Sequence, residues 1–206
     1  MSGLPFHYVG TAGRGQVSVS RHWGRRFEGV RAGALDLADG SSSRFDCVFD
    51  VRGVGGRPEL PVRGVRGVRG EIVWLHAPAH GLMRPVRLMH PRHRVYLVPR
   101  PGDVVVVGAS EIESEDRSPV SLRSAVELMA AAHSVMPALA EARVLRLDSN
   151  LRSALPENEP GSEITPGCVR INGLFRHGWL VAPALIEDAL EACGLASRET
   201  AVEEIA

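Results

Sequence analysis

The sequence contains no lysine, so all 24 of its basic residues are arginine. That excludes a Walker-type phosphate loop, which needs its lysine, a pyridoxal Schiff base and a lysine nucleophile. Cysteine is scarce too. Cys47, Cys168 and Cys193 are widely spaced and odd in number, make no CxxC, and imply no disulfide framework. No apolar run approaches a membrane span. The opening MSGLPFHYVG lacks the basic-then-apolar pattern of a signal peptide, so a cytoplasmic location is expected. Acidic residues also number 24, giving a formal net charge of zero. That balance offers no electrostatic case for nucleic acid or an anionic membrane.

Other motifs are missing as well. Gly53-Val54-Gly55-Gly56 follows a strand, but its spacing is not GxGxxG, and Pro58 stands where a helix should begin. Gly10 to Gly15 (GTAGRG) has no clear strand before it or helix after it, so both read as turns. The run VRGVRGVRG at 62–70 has no interleaved aromatics and sits between strands, so it is not read as a nucleic-acid tract. His76 and His80 are separated by Pro78, and His90 and His93 lack a carboxylate at ligand spacing, so no metal site is expected. There is no GxSxG elbow.

At 206 residues and 44% hydrophobic content, the chain can bury a real core. Its periodicity predicts mixed α and β structure with strands outnumbering helices. Residues 17–20 and 34–37 read as short strands, the latter followed by an Asp39-Gly40 hairpin turn. Residues 45–51 (FDCVFDV) read as a strand covered on both faces that runs into a flexible glycine turn. Further strands are expected at 71–75, 86–89, 94–98, 104–107 and 144–149, the third and fourth as a hairpin around PRPGD. Ser118 and Pro119 read as the N-cap and first residue of a helix whose inward face is Leu122, Val126, Met129 and His133. Residues 150–166 read as mostly loop.

The most telling stretch is VRINGLFRHGWLVAPA, residues 169–184. It reads as a strand with Val169, Ile171 and Leu174 on its apolar side, a turn with Gly173 and Gly178, and a helix over 182–195. Such a turn aims backbone N–H groups at one point, where negative charge or an electron-rich ring edge is favoured. Arg176 adds one positive charge there and His177 can add another. Elsewhere Tyr96 (VYLVPR) and Arg152 (NLRSALP) stand at strand ends. An arginine fork holds a carboxylate through two parallel hydrogen bonds, and a tyrosine hydroxyl adds a third.

With these residues in view, the chain resembles the FAD-dependent amino-acid oxidases of the D-amino-acid oxidase superfamily, nearest to the glycine oxidase of thiamine biosynthesis. The likeness is carried by FDCVFDVRGVGGRPEL, PVRLMHPRHRVYLVPRPGDVVVVGASEIESED, LDSNLRSALPENEP and INGLFRHGWLVAPAL. It implies an α+β fold: an antiparallel or mixed substrate-binding sheet with flanking helices, joined to the last part of a Rossmann-like FAD domain. The implied divisions are 1–70 as late strands and glycine loop of the FAD domain, 71–150 as the substrate-binding sheet, and 151–206 as the return to the FAD domain.

The resemblance also implies FAD as cofactor and a small amino acid and oxygen as substrates, in an oxidative deamination to an imine with hydrogen peroxide. Tyr96, Arg152 and Arg176 become the catalytic set. Gly53, Gly55, Gly173, Arg176, His177, Gly178 and Trp179 become the flavin contacts. The family's GxGxxG lobe does not occur in this sequence. The chain therefore reads as the family's C-terminal half. The alternatives are a non-catalytic remnant, or half of a split oxidase whose missing lobe comes from a partner chain or a homo-oligomer. The strand at 45–51 is then expected to leave an edge uncovered.

Overall fold

The computed structural model describes residues 8–13, 16–21, 27–59, 64–89 and 95–195, the first two segments as backbone. His90, His93 and Gly15 lie outside these residues. The chain divides into two compact units, residues 1–65 with 155–206, and residues 66–154.

The first unit begins with β1 (Tyr8–Gly13) and β2 (Gln16–Arg21), an antiparallel pair. β3 (Phe27–Arg31), β4 (Ala34–Leu37) and β5 (Ser42–Arg44) make a three-stranded antiparallel sheet. Its second turn has the expected chemistry: Gly40 has φ +81°, and Asp39 Oδ1 accepts from the Ser41 amide at 2.9 Å. β6 (Val48–Asp50) is shorter than the strand expected at 45–51. The Asp50 carboxylate accepts from the Arg52 amide at 3.2 Å and pairs with its guanidinium at 2.8 Å, turning the chain out of the strand. The flexible glycine turn expected next is instead a 3-10 helix, Gly53–Glu59.

The second unit is one antiparallel sheet covered by a helix. β7 (Arg66–His76), β8 (Val86–Arg87), β9 (Tyr96–Arg100), β10 (Val104–Gly108) and β11 (Arg143–Ala154) lie in the order β11-β7-β10-β9-β8. The VRG run is not a connector, because its last five residues are the first five of β7. α1 (Leu122–Val135) and a 3-10 helix (Pro137–Glu141) precede β11. Val73, Leu75, Leu97, Val105 and Val107 form the core on one face with Leu128, Ala131, Ala132 and Leu139.

Two expectations for α1 are corrected. Its N-cap is Ser121, whose hydroxyl accepts from the Ser124 amide at 3.1 Å; Ser118 instead bonds Asp116. Its buried face is Ser124, Ala125, Leu128, Ala131 and Ala132, while Leu122 is 82% and Val126 54% exposed. Small side chains let the helix approach a sheet surface already filled by valines. Of the expected stripe, Met129 packs against this core, whereas Leu122, Val126 and His133 face solvent.

β11 runs five residues past the expected strand end, because eleven residues of β7 supply it with hydrogen-bonding partners. The chain then returns to the first unit. Residues 150–166 are thus not mostly loop: β11 takes their start and β12 (Gly161–Thr165) their end. β12 pairs antiparallel with β13 (Cys168–Asn172), which pairs parallel with β6. β6 is the sheet edge, with no strand on its far side among the described residues, and the adjoining Val51 is 62% exposed. α2 (Gly178–Ala192) starts four residues before the expected 182 and contains Pro183.

Candidate functional site

Register decides which side chains of the second unit meet. In β9, β10, β7 and β11, Tyr96 stands opposite Gly108, Gly108 opposite Ile72, and Ile72 opposite Asp148. Directly opposite residues share a face, so these four lie on the face away from α1. Arg152, opposite Val68 and an even number of residues from Asp148, shares it.

On that face two glycines leave room for the two long side chains. A Cβ on Gly108 would lie 2.5 Å from Tyr96 Oη, and a Cβ on Gly70 would run into the Arg152 guanidinium. The aromatic ring therefore lies over Gly108 and the guanidinium over Gly70. These glycines are diagonal neighbours, about 7–8 Å apart. That is about the span of a carboxylate accepting from a phenol on one side and a guanidinium on the other. Both side chains are half-buried. Arg152 Nη1 also donates to the Ser110 carbonyl at 3.1 Å, which fixes the fork.

Beneath Gly70, on the α1 face, lies a buried charge pair. Arg69 donates to Glu71 Oε1 at 2.9 and 2.7 Å, and the two residues are 4% and 0% exposed. Ser110 Oγ donates to Glu71 Oε2 at 3.1 Å and accepts from the Glu71 amide at 2.9 Å, while the Ser121 amide reaches Oε1 at 3.3 Å. Burial works to raise the Glu71 carboxyl, but bonds from Ser124, Arg69, Ser121 and Ser110 outweigh it and hold the group below its ordinary value. Ser110 thus ties this network to Arg152.

A shallow hollow of about 390 Å³ opens farther along the sheet, lined by Trp74, Arg100, Pro101, Val104, Leu145 and Arg146. The Arg146 guanidinium stacks 4.2 Å from the Trp74 ring centroid, and Trp74 Nε1 donates to Asp148 at 2.8 Å.

The first unit carries the strand–turn–helix read from the sequence. Gly173 has φ +75°, and a Cβ there would meet Leu155 at 2.6 Å, so only glycine fits this turn. Asn172 joins two of the expected residues. Its Nδ2 donates to the Gly53 carbonyl at 3.0 Å, and its Oδ1 accepts from the Gly173 amide at 2.8 Å. Gly55 follows in the same 3-10 helix. His177 is the N-cap of α2, and its carbonyl accepts from the Leu180 and Val181 amides. Of the first-turn donors, Gly178 and Trp179 have no backbone partner among the described residues. The Trp179 side chain is fully exposed.

The structure thus lays Tyr96 and Arg152 over neighbouring glycines of one sheet face in the second unit, and links Gly53 to Gly173 through Asn172 in the first, with Gly55 next along the 3-10 helix. Arg176, His177, Gly178 and Trp179 follow at the start of α2. Gly70, Gly108 and Ser110 were missed. The strand alternation after the VRG run was the signal for Gly70; nothing local marks Ser110.

The model of the family DAO, FAD dependent oxidoreductase, matches residues 15–189. A Rhizobium etli protein named for a thiamine biosynthesis oxidoreductase, ThiO, is 44% identical over 151 residues, covering 73% of this chain and 46% of that protein. Glycine oxidase from Geobacillus kaustophilus superposes with a TM-score of 0.64 at 25% identity, over 81% of this chain and 47% of that one. Glycine oxidase from Bacillus cereus gives 0.67 at 20% identity, over 82% and 48%, a likeness of fold. The chain spans about half the length of each.

Proposed function

This chain belongs to the DAO family of FAD dependent oxidoreductases, and on that premise we propose that it serves the oxidative deamination of a small amino acid, glycine or a close relative. The observation that carries the reading is the pair Arg152 and Tyr96 spread over Gly70 and Gly108. An α-amino acid always offers a carboxylate, and this pair suits one. The name of the Rhizobium etli relative supports a place in thiamine synthesis.

Each residue has a defined task in this reading. Arg152 takes both carboxylate oxygens and Tyr96 donates to one of them, which fixes the substrate's Cα relative to the sheet. Ile72, between them, supplies an apolar floor that limits the side chain the substrate can carry. The fit to FAD is partial. Gly53, Gly55, Gly173, Arg176, His177, Gly178 and Trp179 suit the ring end: backbone N–H donors at a helix start, a cation beside them, and glycines that allow close approach. The pyrophosphate needs a dinucleotide cradle, and no GxGxxG occurs in the 206 residues, so that end would be held by residues outside this sequence. When bound, FAD would supply the redox chemistry, taking two electrons from the substrate and passing them to oxygen as peroxide.

Isothermal calorimetry with glycine and acetate, alongside peroxide release from glycine with FAD added, tests the reading. Arg152→Met is expected to abolish carboxylate binding in calorimetry as well as turnover. Undiminished carboxylate binding by Arg152→Met would overturn it.

A further inference from the structure

We propose that Cys47 and Cys193 are a peroxide-oxidisable thiol pair, a modification site in the first unit that closes as a disulfide between the residue before β6 and the residue after α2. The two cysteines stand far apart in that unit's sequence. Both nevertheless pack on the same side of the sheet β12-β13-β6, against Val169, Ile171 and Ala189. Cys47 and Phe49 alternate with Val48, which sends the two of them under α2 and Val48 to the other side with Cys168. Cys47 and Cys193 thus share one small apolar cluster, and Cys193 acts on the Cys47 thiol. Both are free and half-buried, within reach of a small oxidant, whereas Cys168 is only 1% exposed.

The order of attack follows from their surroundings. Burial pushes the Cys47 thiol up, and Cys193 beside it pushes it further, which holds Cys47 in its protonated, less nucleophilic form. The Cys193 thiolate attacks hydrogen peroxide; the O–O bond breaks, the sulfur gains an oxygen as sulfenic acid, and hydroxide leaves and is protonated to water. Cys47 then attacks the Cys193 sulfur. The S–O bond breaks, the S–S bond forms, and the departing oxygen takes the Cys47 proton to leave as a second water. Two thiols and one peroxide give one disulfide and two waters. The staple has a mechanical consequence, because Ala189 is the only buried residue among those described in α2. Fixing the end of this helix to the entrance of β6 adds a constraint where packing supplies little.

Thiol counting on the full chain tests the proposal. The chain is treated with hydrogen peroxide, denatured and titrated with a thiol reagent, and peptides are mapped without reduction. The titre is expected to fall from the three cysteines of the sequence to one. The map should join the Cys47 and Cys193 peptides with the loss of two hydrogens, in a monomer, reversed by dithiothreitol. Cys168→Ser should leave the reaction intact. Cys47→Ser should stop it and leave Cys193 as a dimedone-reactive sulfenic acid. Three thiols surviving, a bridge that includes Cys168, or bridges only between chains would overturn it. The wild-type map decides the question even if Cys47→Ser fails to fold.

Discussion

At the scale of single residues, the two glycines beneath the candidate carboxylate grip matter as much as the grip. A methyl group on Gly70 collides with the Arg152 guanidinium, and on β7 there is no slack, since Arg69 and Glu71 on either side are locked in the buried pair. Gly70→Ala is therefore expected to displace the fork and raise the KM for glycine about 10–100-fold, the span of a lost charged hydrogen bond. Arg152→Met removes the fork itself and should go further, abolishing binding and turnover, and Tyr96→Phe should cost about tenfold, having removed one bond. Steady-state kinetics and calorimetry together check this; a Gly70→Ala variant with wild-type KM would remove the placement of Arg152 from the account.

At the scale of elements, α1 offers a clean comparison of caps. Ser121→Ala removes the hydroxyl that accepts from Ser124, and should cost about 1 kcal/mol in urea denaturation. Ser118→Ala, the cap that sequence alone suggests, leaves the helix start untouched and should cost clearly less. Glu71 links β7 to that same helix start through Ser121 and Ser124. Its folded-state pKa is depressed, so the stability it contributes is complete above the ordinary glutamate value of about 4.3 and is lost as pH falls through the lower folded value. The wild-type melting temperature should therefore drop on acidification below about pH 4. Glu71→Gln should be less stable at neutral pH and lose less on acidification; parallel curves for the two proteins would refute the coupling. The same elements show what the sequence made legible. The hairpin around PRPGD, β4 and the strand–turn–helix after Val169 were readable because their turn residues and alternation are local. The second half of β11 and the true face of α1 were not. The mixed run Asn150–Ala154 becomes a strand only because β7 lies beside it, and the buried stripe of α1 is built mostly from small residues that carry little hydrophobic signal. Tyr96 and Arg152 were visible as residue types on strands, but their meeting depends on a register that no local pattern encodes.

At the scale of the whole molecule, packing is unevenly divided among the described residues. The second unit has one continuous core in which Val73, Val105, Val107 and Ala132 are completely buried. Among the described residues the first unit has two small clusters, Val30–Val48–Cys168 and Val169–Ile171–Ala189, and a helix that leaves Trp179, Leu180 and Ile186 exposed. Opening free energies follow buried apolar contact, so the units should differ in how readily their amides exchange. Hydrogen exchange followed by mass spectrometry should find β7 and β10 slowest in the molecule and α2 faster by about two orders of magnitude or more, because each 1.4 kcal/mol of opening energy is a tenfold change. The candidate flavin contacts Arg176 to Trp179 sit at the start of that weakly held helix, and the candidate carboxylate grip sits on the sheet of the second unit. Adding FAD should then slow exchange at the start of α2 and leave β7 unchanged. Protection confined to β7, or α2 amides already as slow as those of β7 without ligand, would show that stability is distributed otherwise.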